Sequence, residues 1–222
     1  NTKEIVKKYT NNLYYFKWIE DFAAARNYAF SKATKDYIMW LDADDIILDQ
    51  DKEKIKELKV NMDKSTDMVM MKYNTGFDSD GNITFSYYRE RIFKRSKKFR
   101  WIGEIHEVIP PEGNIIYSDA AISHKKLKNN DPKRNLRIFE NMISKGKELD
   151  PRQEFYYARE LYYNKRYEDA INTFNHFLDS GQGWVENCIN ACQDLSYCYY
   201  SMGESKKALN SFFRSFEFDE PR

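Results

Sequence analysis

The chain has 222 residues, with 36 lysines and arginines against 35 aspartates and glutamates and a formal net charge of +1. This balance excludes a nucleic-acid binder that works through bulk positive charge. No apolar run approaches the ~20 residues of a membrane-spanning helix, so we expect no transmembrane segment. The three cysteines lie together at 188, 192 and 198, which is unlike a disulfide framework and typical of a reducing cytoplasm.

The first half of the chain predicts an α/β arrangement. Helices are expected over 2–9, 22–33 and 50–60, and strands over 13–18, 37–41, 67–73, 83–88 and 115–123. Asp21 can cap the second helix, and Asp80-Gly81 marks a hairpin turn. An α/β sheet usually begins with a strand, whereas this chain begins in a predicted helix. We therefore expect that part of the domain lies upstream of residue 1.

A cluster of carboxylates ends the apolar strand predicted over 37–41. Asp42, Asp44 and Asp45 follow it with only Ala43 between them. Uncompensated buried charge is very costly, so these acids must face solvent, a basic partner or a metal. In open α/β sheets, ligands bind beyond the carboxyl ends of the strands, which is where this cluster lies.

Two basic features of this half each have two interpretations. Arg26 lies at the edge of a helix face made of small residues, and its guanidinium needs an anion. Residue type favours an ion pair with an aspartate of the cluster over a substrate phosphate held bidentately. The basic run 89–98 predicts either a solvated, flexible loop or a lid that faces a phosphate.

The segment 99–111 carries a tryptophan, two glutamates and a histidine close together. If it is extended, Glu104 and His106 share one face and Glu107 points the other way. Such groups beside Trp101 suit general-base work on a hydroxyl, with an aromatic platform for a sugar or a base. The alternative is an exposed hairpin edge with one salt-bridged histidine.

From Pro132 onward the sequence has helical periodicity and repeats itself. A helix is expected over 133–149, and the pattern at 166–174 recurs at 204–212. The offset is 38 residues, against ~34 for a tetratricopeptide unit, and the extra length is supplied by the loop 181–183. We expect residues 151–222 to form two helix pairs, capped by the preceding helix and the α/β domain.

Several motifs in order resemble glycosyltransferase family 2. They are Ala25-Arg26-Asn27 on a helix, the Asp42-x-Asp44 strand end, Arg91-Ile92-Phe93, the segment Gly103 to Glu107, and Ile122-Ser123-His124. The set is similar to that of a bacterial subgroup with tetratricopeptide repeats behind a GT-A domain. The resemblance implies a Rossmann-related GT-A domain over 1–130 with its N-terminal part missing. A linker helix over 131–150 and repeats over 151–222 would follow it.

The resemblance also implies an inverting transfer of a sugar from a nucleotide-sugar to an acceptor hydroxyl, assisted by Mn²⁺ or Mg²⁺. The implied donor-binding residues are Arg26, Asn27, Asp42, Asp45 and Trp101. The implied metal ligands are Asp44, Asp42 and His124, with His106 as the alternative histidine. Glu107 is the expected base, and Glu104 is the alternative.

The partners implied are a nucleotide-sugar donor and a saccharide, lipid-linked or protein acceptor. The repeats would hold a protein partner or a second subunit, in the cytoplasm or at the inner face of the membrane. Two other functions stay open at this point. One is a non-catalytic interaction module that uses the repeats. The other is a nucleotidyltransferase. Such an enzyme usually has a glycine-rich phosphate loop near its start, and this sequence shows none, which argues against that function.

Overall fold

The structure is a computed structural model that describes residues 2–125 and 131–220. Its described residues form two compact units. The sheet unit comprises residues 2–102 and 107–125, and the helical unit comprises residues 103–106 and 131–220. No helix within these described ranges has both the length and the apolar character needed to cross a membrane.

The sheet unit is built on a five-stranded mixed sheet. Its strands are β1 (Tyr37–Met39), β2 (Asp45–Ile46), β3 (Met68–Phe77), β4 (Ile83–Lys94) and β5 (Ile115–His124). They lie in the order β1-β4-β3-β5-β2, with β3 and β5 parallel and the other neighbouring pairs antiparallel. The short β2 pairs with the end of β5, so Asp45 lies opposite His124. This pairing brings the acidic cluster to the carboxyl end of β5.

Three helices accompany the sheet: α1 (Thr2–Val6), α2 (Phe22–Ser31) and α3 (Asp49–Asn61). The cap predicted for α2 is confirmed, because the Asp21 side chain accepts a hydrogen bond from the Ala24 amide at 2.7 Å. The hairpin predicted at Asp80-Gly81 is confirmed as the β3–β4 turn, where Gly81 has a φ of 86°. Such a positive φ suits glycine, which has no Cβ to clash.

Two expected elements of this unit differ in the structure. Residues 13–18, expected as a strand, carry no regular secondary structure. The basic run 89–98 is neither a flexible loop nor a lid, because β4 continues through it to Lys94 and a short 3₁₀ turn follows at Arg95–Lys97. The physical reason is that Ile92 and Phe93 are core residues, which holds the run in the sheet.

The helical unit contains α4 (Arg134–Ser144), α5 (Pro151–Tyr163), α6 (Tyr167–Asp179), α7 (Val185–Ser201) and α8 (Ser205–Arg214). Helix α4 ends five residues before the predicted end at 149. The expected helix pairs appear as the hairpins α5–α6 and α7–α8, around a core that includes Phe155, Ala158, Ala170 and Phe174.

The three cysteines lie free in this same core. Burial raises the pKa of the Cys192 thiol to about 11 and that of the Cys198 thiol to about 12. A thiol in that state is a poor nucleophile, which fits side chains that pack helices.

Candidate active site

The acidic cluster forms a closed turn beyond β1. The Asp45 amide donates to the Asp42 carbonyl at 3.0 Å, and the Asp42 amide donates to Asp45 Oδ2 at 3.1 Å. These reciprocal bonds hold Asp42 and Asp45 side by side at the start of β2. The turn therefore has a defined shape, although three of its four residues are acidic.

Arg26, on α2, clamps two carboxylates at once. Its Nη1 and Nη2 lie 3.0 and 3.1 Å from the two oxygens of Asp42, and its Nε donates to Glu107 Oε1 at 2.5 Å. The guanidinium carbon lies 4.4 Å from the ring of Trp40 and 4.8 Å from that of Trp101, within cation–π distance. Burial acts to lower the pKa of Arg26, but the two carboxylates outweigh it and the pKa is raised. The expected ion pair with an aspartate of the cluster is confirmed.

Arg91 of β4 holds the last carboxylate of the turn. Its Nη1 lies 2.9 Å from Asp45 Oδ2, and neither side chain is exposed to solvent. The guanidinium carbon lies 3.9 Å from the Trp40 ring and 4.2 Å from the Tyr73 ring, while the Tyr73 hydroxyl donates to Asp45 Oδ1 at 3.0 Å. Desolvation acts to raise the pKa of Asp45, but the Asp42 amide, Arg91 and Tyr73 together hold it below its usual value. Desolvation and the neighbouring Asp45 raise the pKa of Tyr73.

A group of side chains that could hold a metal ion lies at the acidic turn and the end of β5. Asp44, Asp45 and His124 each offer one ligand atom, and these atoms all lie within 4.8 Å of one another. His124 Nδ1 lies 3.7 Å from Asp44 and 3.4 Å from Asp45. Carboxylate oxygens suit hard divalent cations, and imidazole joins them for transition metals such as Mn²⁺. Asp42, expected as a further ligand, has both carboxylate oxygens within hydrogen-bond distance of Arg26.

Asn27 and Trp101 bind each other beside the Arg26 guanidinium. The Asn27 side-chain amide donates to the Trp101 carbonyl and accepts from the Trp101 amide, both at 2.9 Å. The Trp101 ring packs edge-on against Trp40 at 5.0 Å, and the residue is only 3% exposed. Trp101 is thus a core residue, and the open aromatic platform expected from the sequence is not what the structure shows.

Two further candidate residues of the 99–111 segment, Glu104 and His106, lie in the helical unit. Glu104 pairs with Lys147 at 2.6 Å, and the His106 ring stacks on Tyr156 with centroids 4.0 Å apart. The segment is not an extended strand, because Gly103 and His106 have φ angles of 95° and 50°. The shared face expected for Glu104 and His106 is therefore absent. The catalytic role of Glu104 and the metal-binding role of His106 stay predictions.

The mixed sheet thus carries an acidic turn and a histidine at neighbouring strand ends. The family model described as "Glycosyl transferase family 2" matches residues 1–122, which is more than half of the chain. The chain belongs to glycosyl transferase family 2.

Two curated relatives are similar to the chain over 190 residues at 28% identity. They are the SPbeta prophage-derived glycosyltransferase SunS of Bacillus subtilis (strain 168) and the glycosyltransferase SunS of Bacillus phage SPbeta. In each case the similarity covers 75% of this chain and 44% of the relative. The chain therefore spans less than half the length of these relatives.

Sequence reasoning found most of the polar residues of the site but missed two of its supports. They are Arg91, which the sequence places in a motif without a role, and Tyr73, which it places in a predicted strand. Tyr73 has a signal in the sequence, because a phenol at the end of the apolar run 67–73 needs a partner once it is buried, whereas Arg91 lies in a basic run and gives no such signal.

Proposed function

We propose that the sheet unit is the catalytic part of an inverting, metal-dependent glycosyltransferase that uses a nucleotide-sugar donor and an acceptor hydroxyl. One observation carries this proposal: the acidic turn links two groups of polar side chains. Asp45, with Asp44 and His124, belongs to the first group, and Asp42, held with Glu107 by Arg26, belongs to the second. A hydrogen bond from the Asp42 amide to Asp45 connects them.

Asp44 and His124 would hold the divalent cation, Mn²⁺ or Mg²⁺. When bound, such a cation offsets the negative charge of the nucleoside diphosphate as it leaves. Asp45 completes the group in position, but its oxygens already accept hydrogen bonds from Arg91, Tyr73 and the turn backbone. We therefore assign the direct contact mainly to Asp44 and treat Asp45 as the residue that fixes the turn.

Donor binding is assigned to the side of the turn that carries Asp42 and Arg26. Asp42 suits hydrogen bonding to the ribose hydroxyls, and Arg26 provides the positive charge near the diphosphate. Asn27 and Trp101 act through their contacts with the Arg26 helix and its guanidinium.

The base that removes the acceptor proton is assigned to Glu107. Its Oε1 is held by Arg26, whereas its Oε2 accepts no hydrogen bond from the described residues. A carboxylate that is fixed through one oxygen and has no hydrogen bond at the other is suitably arranged to take a proton from a hydroxyl. Glu104, the alternative base, lies in an ion pair with Lys147.

For the helical unit we propose tetratricopeptide-like repeats that hold an acceptor protein or a second subunit. The two helical hairpins support this, with Ala158 and Ala170 fully buried at the small-residue positions of the repeat pattern. The proposed location is the cytoplasm or the inner face of the membrane, where nucleotide-sugars and saccharide, lipid-linked or protein acceptors would meet.

Calorimetry with UDP or GDP, with and without Mn²⁺, tests the metal and donor assignments. We expect Mn²⁺-dependent binding that weakens about tenfold or more in Asp44→Ala and in His124→Ala, because each variant lacks a residue that would hold the cation beside the nucleotide. Asp49→Ala is the matched control, since Asp49 is an exposed aspartate paired with Lys52 on α3. Unchanged binding in Asp44→Ala would contradict the assignment. A wild-type chain that binds neither nucleotide would point to the non-catalytic module.

A further inference from the structure

A groove with no role in the proposed reaction lies on the helical unit. It has a volume of about 460 Å³ and lies between the start of α5 and the start of α7. The groove residues that matter here are Asp150, Arg152, Tyr156, Gln182, Trp184 and Asn187. Its volume is in the range of small-molecule sites, which combine aromatic walls with a few polar groups.

Trp184 forms an aromatic wall of this groove, although 66% of the residue is exposed. It follows the glycine loop that lengthens the sequence repeat. That loop is packed tightly, since a Cβ on Gly183 would lie 2.5 Å from the Phe177 ring and 2.6 Å from Cys188 Sγ. The loop is therefore fixed against the helical core, and the Trp184 indole that follows it lies at the groove. Exposed tryptophans on a fixed backbone are common at binding sites.

Asn187 supplies the second observation. The residue is only 8% exposed and lines the groove, yet its side-chain amide makes no hydrogen bond with any described residue. Its amide atoms are not closed off from solvent, so they are accessible from the groove. A polar ligand there would provide their hydrogen-bond partners. Gln182 adds a second amide on the same wall.

The charges of the groove are already engaged by the protein itself. The Asp150 side chain caps α5 by accepting from the Gln153 amide at 2.8 Å. Arg152 donates to the His106 carbonyl at 2.5 Å and lies over the Tyr156 ring at 4.9 Å. Asp150 and Arg152 carry opposite charges, so the groove has no net formal charge to favour a phosphate or a charged peptide terminus over a neutral ligand.

We propose that this groove binds a neutral saccharide unit. Sugar hydroxyls both donate and accept hydrogen bonds, as do the side-chain amides of Asn187 and Gln182. The C–H face of a pyranose ring carries a partial positive charge and fits the negative face of an indole such as Trp184. The groove shares no residue with the proposed donor and metal sites, so the inference does not depend on the proposed transfer reaction.

Binding of methyl glycosides of glucose, galactose and N-acetylglucosamine to the chain tests this site. Trp184 is the only tryptophan of the helical unit, the others being Trp18, Trp40 and Trp101. We expect a saturable change in tryptophan fluorescence and saturation-transfer NMR signals for at least one glycoside. Both should weaken about tenfold or more in Trp184→Ala and in Asn187→Leu, which remove the stacking face and the amide.

The control is Tyr200→Ala, which removes a 71% exposed aromatic of α7 that does not line the groove, and it should bind as the wild type does. Asn187→Leu removes a side-chain amide that has no hydrogen-bond partner in the described residues and keeps a similar size, so the variant should fold with a melting temperature close to that of the wild type. Asp44→Ala should retain glycoside binding, which separates this site from the donor site. Three results would overturn the inference: no saturable binding of any glycoside, unchanged binding in both groove variants, or Trp184-dependent binding of an acidic or basic peptide instead.

Discussion

The buried ion pair between Asp45 and Arg91 allows a strong prediction about stability. Both side chains are fully buried, and they lie 2.9 Å apart. Asp45→Asn keeps the shape of the turn but leaves the guanidinium without its counter-charge. The Nε and Nη2 of Arg91 already have no hydrogen-bond partner in the described residues, so no other group takes over. Removing one partner of such a pair costs about 3–5 kcal/mol, and we expect that loss here.

The pair should also show strong coupling. Arg91→Met alone leaves a buried carboxylate without its arginine, in contact with Tyr73, the Asp42 amide and His124. Once both charges are gone, neither is left uncompensated, so the double variant should lose less stability than the sum of the losses in the single variants.

The ion pair should also make stability depend on pH. The pKa of Asp45 lies below its ordinary value of 3.8, so the unfolded chain binds more protons than the folded chain. The stability it contributes is present above that value and is lost as the pH falls through the lower, folded-state pKa.

Urea unfolding followed by tryptophan fluorescence measures these effects, because Trp40 packs on Arg91 at 3.9 Å. The matched control is Lys56→Met, which breaks an exposed pair with Glu53 and should change little. The reasoning is refuted if Asp45→Asn costs no more than this control, or if the single variants add up in the double. Below pH 4 the unfolding free energy of the wild type should fall more steeply than that of Asp45→Asn.

Two further predictions concern the base and the repeats. Glu107→Gln should lower donor hydrolysis and transfer by about 10²–10⁴-fold while nucleoside diphosphate binding is nearly kept, and Glu104→Gln should be milder. The opposite order of the two effects, measured in one steady-state assay, would reverse the roles. Ala208→Trp should destabilise the helical unit by roughly 1–3 kcal/mol, because Ala208 is 5% exposed and a larger side chain overpacks its site. An unchanged melting temperature would contradict the tight crossing.

Elements with a strong local signal could be predicted from the sequence. The cap of α2, the Asp80-Gly81 turn and the helical hairpins follow from capping, turn chemistry and periodicity. The strand predicted over 13–18 was wrong. An aromatic-rich run is typical of a strand, but a strand also needs a neighbouring strand with which to pair. In the described structure those residues make no sheet pairing, and sequence alone does not supply that information.

The site could be predicted only in part, for a different reason. The acidic turn, Arg26 and His124 stand out by residue type, and their meeting follows from strand order. Arg91 does not stand out, because a basic run usually means solvent exposure. Its burial depends on Asp45 reaching it from β2, 46 residues earlier. The backbone of the 99–111 segment could not be predicted from the sequence either. The positive φ angles of Gly103 and His106 break the extended conformation that would have placed Glu104 and His106 on one face.

The three aspartates of the acidic turn occupy different electrostatic surroundings. Asp42 shares Arg26 with Glu107, and Asp45 is paired with Arg91. Asp44 has no lysine or arginine partner in the described residues and is 36% exposed at its side chain, facing an imidazole. A divalent cation is attracted to the position where negative charge is uncompensated and solvent can deliver it. An Asp-x-Asp motif presents Asp42 and Asp44 as equivalent candidates, whereas the arginine contacts make them unequal and favour Asp44 as the main ligand of the metal ion that we propose.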